Sequence, residues 1–143
     1  MSTDGGRLQL YNLSTGKYLT CSKLTRQELG QLFSTLMPME GIRELTIESS
    51  DLSALSEDHI CEVFSRLRYL ELYATNLTTA QLSALFRKLK DSTELEEMVL
   101  TRNILSQVPS EDLATTISKL RKVRLEYSQL TTEQCIEILT QGK

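Results

Sequence analysis

The chain has 143 residues, 24% of them charged, and a formal net charge of −3. That length suits one domain. The mild acidity argues against the basic stripe of a general nucleic-acid binder, and no apolar run approaches the roughly 18 residues of a membrane span.

Met1-Ser-Thr-Asp-Gly-Gly has no positive segment followed by an apolar one, so no secretory signal is expected. Cys21, Cys61 and Cys135 are an odd, scattered set without metal-ligand spacing. A reduced, cytoplasmic protein with no metal and no cofactor is the simplest expectation. Residues 1–13 read as a tail and capping strand, and residues 14–143 as the main domain. Residues 1–6 are expected to be loose. Arg7 to Leu13 alternates through Leu8, Leu10 and Leu13, and Ser14 to Lys17 turns it back as a hairpin onto Tyr18–Cys21. The other reading of this stretch is the remnant of a preceding helix.

One phrase then recurs. Ile42, Leu45 and Ile47 are followed by Ser50 and Leu52. Leu67, Leu70 and Leu72 are followed by Thr75 and Leu77, Leu95, Met98 and Leu100 by Asn103 and Leu105, and Leu120, Val123 and Leu125 by Ser128 and Leu130. A weaker first copy starts at Lys17 and Leu19, with Ser22 and Leu24. Stepping from Lys17 to Leu45, Leu70, Met98 and Val123 gives 28, 25, 28 and 25 residues, so the unit of sequence is 53. Alternation at Leu70 and Leu72 is the period of a strand with one buried face.

After each copy comes a helix. Thr25 with Glu28, Thr78 with Gln81 and Thr131 with Gln134 read as capping boxes. Ser56 and Ser110 precede acidic pairs that suit a helix N-terminus, and Pro109 fits only at a helix start. Leu29, Leu32, Phe33 and Leu36 have helical spacing, as do Ile60, Val63, Phe64 and Leu67, and Leu82, Leu85, Phe86 and Leu89. Units this short bury their apolar sides only by stacking. Ser22, Ser50, Thr75, Asn103 and Ser128 form a column at the bends, suited to bonding stray backbone groups.

These motifs resemble the ribonuclease-inhibitor-like class of leucine-rich repeats, found in cytosolic animal proteins and in the sensor arms of innate-immunity receptors. The resemblance covers about residues 14–141. It implies an α/β solenoid, a short horseshoe of about five repeats with parallel strands on the concave face and helices on the convex face. It also implies protein recognition on the concave face, with no activity of its own. The chain departs from the family in two ways: every second repeat has 25 residues rather than about 28, and only Asn103 carries the family's usual column residue. So few repeats also fit a fragment of a larger receptor, a small decoy-like protein or an engineered excerpt.

The outward strand positions form the candidate site. Across the repeats they read Gly16, Glu44, Tyr69, Glu97 and Lys122, then Tyr18, Thr46, Glu71, Val99 and Arg124. The next columns are Thr20, Glu48, Tyr73, Thr101 and Glu126, then Cys21, Ser49, Ala74, Arg102 and Tyr127. Four of the chain's five tyrosines fall here, and tyrosine is enriched in recognition surfaces. The partner-binding residues expected are Tyr18, Glu44, Glu48, Tyr69, Glu71, Tyr73, Glu97, Arg102, Arg124 and Tyr127. The acids lie in the earlier repeats, which suits a basic protein partner; sheet propensity is the competing explanation of the tyrosines.

No catalytic constellation is expected. His59 and Cys61 lie two apart on a helix and face different directions. Cys135 aligns with Leu29 and Leu82 as a small core residue, and Cys21 reads as an accessible thiol. Arg87, Lys88 and Lys90 read as a solvated helix end. The alternative function is assembly through solenoid ends, since Ile136, Ile138 and Leu139 lie on a last helix without a polar cap.

Overall fold

Leu45 and Ile47, Leu70 and Leu72, and Met98 and Leu100 are each fully buried, whereas Glu48, Tyr73 and Thr101 next to them stay at least partly accessible. That period of two makes strands with one wet face. The computed structural model describes residues 2–3 and 6–141. In chain order the elements are β1 (Ser2–Thr3), β2 (Leu8–Leu13), β3 (Gly16–Ser22), α1 (Arg26–Leu36), β4 (Ile42–Glu48), α2 (Glu57–Phe64), β5 (Tyr69–Tyr73), α3 (Thr79–Leu89), β6 (Glu97–Thr101), α4 (Ser110–Lys119), β7 (Lys122–Glu126) and α5 (Thr132–Gln141).

The strands form one sheet in the order β1 to β7. β3 to β7 are parallel, and β1 and β2 are added antiparallel at the β3 edge. Each helix packs against the next. Leu29, Phe33, Ile60, Phe64, Leu82, Phe86, Leu113 and Ile117 of the helices share one core with the buried strand residues. Phe33 and Phe64 meet edge to face at 5.8 Å. The protein is thus α/β, with one sheet face in the core and the other open.

Side chains at the helix ends hold this arrangement. Thr25 and Thr78 make full capping boxes with Glu28 and Gln81, and Thr131 and Gln134 exchange the same two bonds. Ser56 caps α2, accepting from the His59 N–H. Ser110 is not a cap: Pro109 takes that position and Ser110 is the first helical residue, its hydroxyl 3.3 Å from Glu133. Gln81 Nε2 donates to the carbonyls of Leu52, Ser53 and Leu55, and Gln134 Nε2 to those of Leu105 and Val108, 53 residues on. Arg66 donates to the carbonyls of Met37 and Met39 just beyond α1; Lys119, again 53 on, donates to Leu89, Lys90 and Ser92 at the end of α3. Helix ends leave such carbonyls orphaned, and each long side chain reaches back one neighbour to satisfy them.

Several expectations need correction. Residues 1–6 are not uniformly loose: Ser2 and Thr3 pair with Gln9 and Leu8. Met1, Asp4 and Gly5 lie outside the described residues. Residues 8–13 form a strand of the hairpin, not a helix remnant, and a two-residue turn at Ser14 and Thr15 joins Leu13 to Gly16. Gly16 has φ +136°, and a Cβ there would sit 2.4 Å from Arg43 Cγ, so only glycine suits the turn.

The largest correction is the register of β3. Leu19 stands opposite Leu45 and Cys21 opposite Ile47, two residues later than the 28-residue step from Lys17 requires. The cause is a shorter turn. Ala74 and Asn76 are both left-handed in the turn after β5, as are Tyr127 and Gln129 after β7, but only Lys23 is left-handed after β3. Two residues are missing between strand and helix, so the helices keep the 53-residue phase while the strand slides. A slide of two preserves which face each side chain takes.

It nevertheless moves the bend. Lys23, not Cys21, joins Ser49, Ala74 and Arg102 at the left-handed positions, whose N–H groups donate to Glu48, Tyr73, Thr101 and Glu126 of the following strands. Cys21 is therefore buried, 1% exposed, and its thiol is pushed up to about 12 by that burial. Ser22 leaves the column, and Leu24 takes its place, donating its N–H to Ser50 Oγ. The rest of the column bonds backbone or itself: Ser50 to Glu48 O, Thr75 to Asn103, Asn103 to Leu72 O, and Ser128 to Leu100 O. Cys135 is only half-buried, because α5 is the last helix of the row.

Candidate functional site

The open sheet face is built by the alternate residues of β3 to β7. The register lines up Tyr18, Glu44, Tyr69, Glu97 and Lys122 in one row. The second row is Thr20, Thr46, Glu71, Val99 and Arg124, and the third is Ser22, Glu48, Tyr73, Thr101 and Glu126. Arg102 and Tyr127 follow at the left-handed bends, with the Arg102 guanidinium 5.3 Å from the Tyr127 ring centre. The two-residue slide therefore brings Tyr18 beside Glu44 rather than Thr46. Gly16 drops out of the array.

Aromatic contacts gather at the early end. Tyr11 stands opposite Tyr18 in the hairpin, and their rings stack at 5.5 Å. Tyr18 meets Tyr69 edge to face at 6.3 Å, and the Tyr18 hydroxyl shares a 2.9 Å hydrogen bond with Thr46 Oγ1. Tyr69 donates its hydroxyl to Glu71. Burial, with the nearby Glu71 and Glu44 carboxylates, pushes the Tyr18 phenol up, and burial with the Glu71 bond raises Tyr69 well above its usual range. Both rings are neutral hydrogen-bonding surfaces at ordinary pH.

The acids divide into two kinds. Glu44 is held by Arg68 at 2.6 Å; Glu97 is held by Arg121 at 3.0 Å and by Arg68 at 3.5 Å. These carboxylates are spent on folding the face itself. Among the described residues no basic side chain pairs with Glu48 or Glu71. Gln9, Tyr18, Thr20, Thr46, Glu48 and Glu71 border a shallow hollow of about 390 Å³. Arg124 is bound to Glu126 within its own strand.

Arg68 and Arg121 were not among the expected site residues. Their signal was present: Arg68, Glu96 and Arg121 stand just before β5, β6 and β7, and Arg43 takes the equivalent position at the start of β4. Tyr11 was also missed, because its place opposite Tyr18 depends on the two-residue turn at Ser14 and Thr15.

A larger hollow, about 940 Å³, lies between α2 and α3, lined by Glu57, Asp58, Cys61, Glu62, Arg87 and Lys88 among others. It is an open, charged groove, and Lys88 partly closes it with a 3.7 Å contact to Glu62. Burial, with the carboxylates of Glu57 and Asp58, raises the Cys61 thiol, which opposes thiolate formation. Lys90 is not a free helix end; it pairs with Asp112 at 2.8 Å. Among the described residues, no helix is long and apolar enough to cross a membrane. No protein-family model, curated protein or solved structure matches the chain.

Proposed function

We propose that the chain is a short leucine-rich-repeat solenoid, cytoplasmic and non-catalytic, whose open strand face is concave and binds a protein partner with a basic surface. The observation that carries this reading is the pairing of an aromatic row, Tyr11, Tyr18 and Tyr69, with two acids, Glu48 and Glu71, that pair with no basic side chain among the described residues. Tyrosines give contact area at low entropy cost, and unpaired acids at the surface attract cations at modest desolvation cost.

Roles follow from position. Tyr69, Glu71 and Tyr73 lie in the middle strand, where truncation of an anchor costs roughly 2 kcal/mol or more in binding. Glu48 and Glu71 steer the partner. Glu44 and Glu97, fixed by Arg68 and Arg121, set the shape of the face. Arg102, Arg124 and Tyr127 form the far rim.

Capture from lysate tests the reading. Wild type is compared with a Tyr69→Ala/Tyr73→Ala variant, and with Lys88→Glu on the helix side. Loss of one captured protein in the first variant and its retention in the second is expected. For that protein, Glu48→Lys with Glu71→Lys slows association and weakens its salt dependence. Capture that survives the tyrosine changes but fails with Lys88→Glu moves the working surface to the α2–α3 groove.

A further inference from the structure

We propose that two copies of this chain associate through β7, strand edge to strand edge, about a two-fold axis through Arg124. Among the described residues β7 ends the sheet. Its Lys122 N–H and Glu126 carbonyl are turned to β6, bonding Glu96 and Arg102. Backbone groups alternate sides along a strand, so those of Val123 and Leu125 lie on the open edge.

Charged residues on an edge usually discourage pairing. This edge reads Lys122-Val-Arg-Leu-Glu126, which complements itself when reversed. In an antiparallel pair centred on Arg124, Val123 of each copy opposes Leu125 of the other, and each such pair exchanges both backbone bonds. Lys122 then opposes Glu126 on either side of the axis, in the close non-hydrogen-bonded positions. The two Arg124 side chains meet at the axis, each already neutralised by its own Glu126. Sliding the pair one way sets Lys122 against Arg124. Sliding it the other way runs the strand into Tyr127, which is left-handed and cannot continue it.

The helices support the same axis. Gln134 bonds the carbonyls of Leu105 and Val108 in the segment before α4, and Gln141 accepts from Thr115 on α4, so both face the preceding layer. At 100° per residue, Ile136 and Leu139 lie on the opposite side of α5. They are 59% and 73% exposed. A two-fold axis perpendicular to the sheet keeps both cores on one side, so the two α5 helices run antiparallel with these apolar residues facing each other. The interface is isologous, as closed dimers require.

Sedimentation of the whole chain over rising concentration tests this. A dimer is expected, and Glu126→Lys, which sets Lys against Lys122, raises its dissociation constant on the order of tenfold or more. Lys122→Glu combined with Glu126→Lys restores self-complementarity and recovers the dimer. Circular dichroism checks that each variant is folded. A wild-type monomer at about 1 mM overturns the proposal. So does a dimer unaffected by Glu126→Lys, or one that the double exchange fails to restore.

Discussion

The Tyr18 ring meets the Tyr69 ring edge to face at 6.3 Å, across a strand that contributes Glu44 between them. Both phenols ionise late, Tyr18 through burial and nearby carboxylates, Tyr69 through burial and its bond to Glu71. For an acid whose folded pKa is raised, the folded state holds its proton longer. Its contribution to stability is complete below the ordinary phenol value of about 10 and is lost as pH rises through the folded value. Alkaline titration followed by phenolate absorbance should show a late phase that disappears in Tyr18→Phe/Tyr69→Phe. A wild type lacking that phase contradicts the packing of this row.

Leu72→Ala should cost about 2–5 kcal/mol, because Leu72 is fully buried at the centre of the sheet. Tyr73→Ala, one residue on and 38% exposed, should stay within about 0.5 kcal/mol. Urea melts give the comparison; equal losses would mean that β5 is out of phase by one residue.

Glycine should have opposite effects at two alanines. Ala74 is left-handed, φ +52°, where a Cβ costs roughly 1–2 kcal/mol, more than the extra chain entropy of glycine. Ala84 lies inside α3, where glycine costs about 1 kcal/mol. Ala74→Gly should raise the melting temperature and Ala84→Gly lower it. Two losses of similar size would remove the strain argument for the bend.

Arg7 donates to Glu28 at 2.7 Å and, together with the capping bond from Thr25, lowers its carboxyl to about 2. A depressed carboxyl stabilises the fold above its unfolded value of about 4.5, and that contribution fades as pH falls toward about 2. Glu28→Gln keeps the capping box, as Gln81 does, but loses the charge. Wild type should exceed it in stability at neutral pH, with the gap closing in acid. A gap independent of pH would count against the ion pair.

Thiol labelling of the native protein should reach Cys61 and Cys135 well before Cys21, since only Cys21 is fully buried. All three are free thiols. Fast labelling at Cys21 would return it to the outer face and undo the register of β3.

Local chemistry made much of this protein legible from sequence. The alternation of Leu45 with Ile47 and of Leu70 with Leu72 determined which strand face is buried, and the Thr25, Thr78 and Thr131 boxes marked three helix starts. These signals act within a few residues of the chain. The register of β3 was not legible, because a slide of two leaves a period-two pattern unchanged. The pairing of Leu19 with Leu45 and the hydrogen bond from Lys23 to Glu48 in the next strand reveal the shortened turn. The tertiary structure likewise decided which acids are spent: Arg68 reaches Glu44 and Glu97 on the strands to either side, and Glu48 and Glu71 have no such neighbour among the described residues. Such pairings join residues about two dozen or more apart in sequence, and strand spacing, not chain order, brings them into contact.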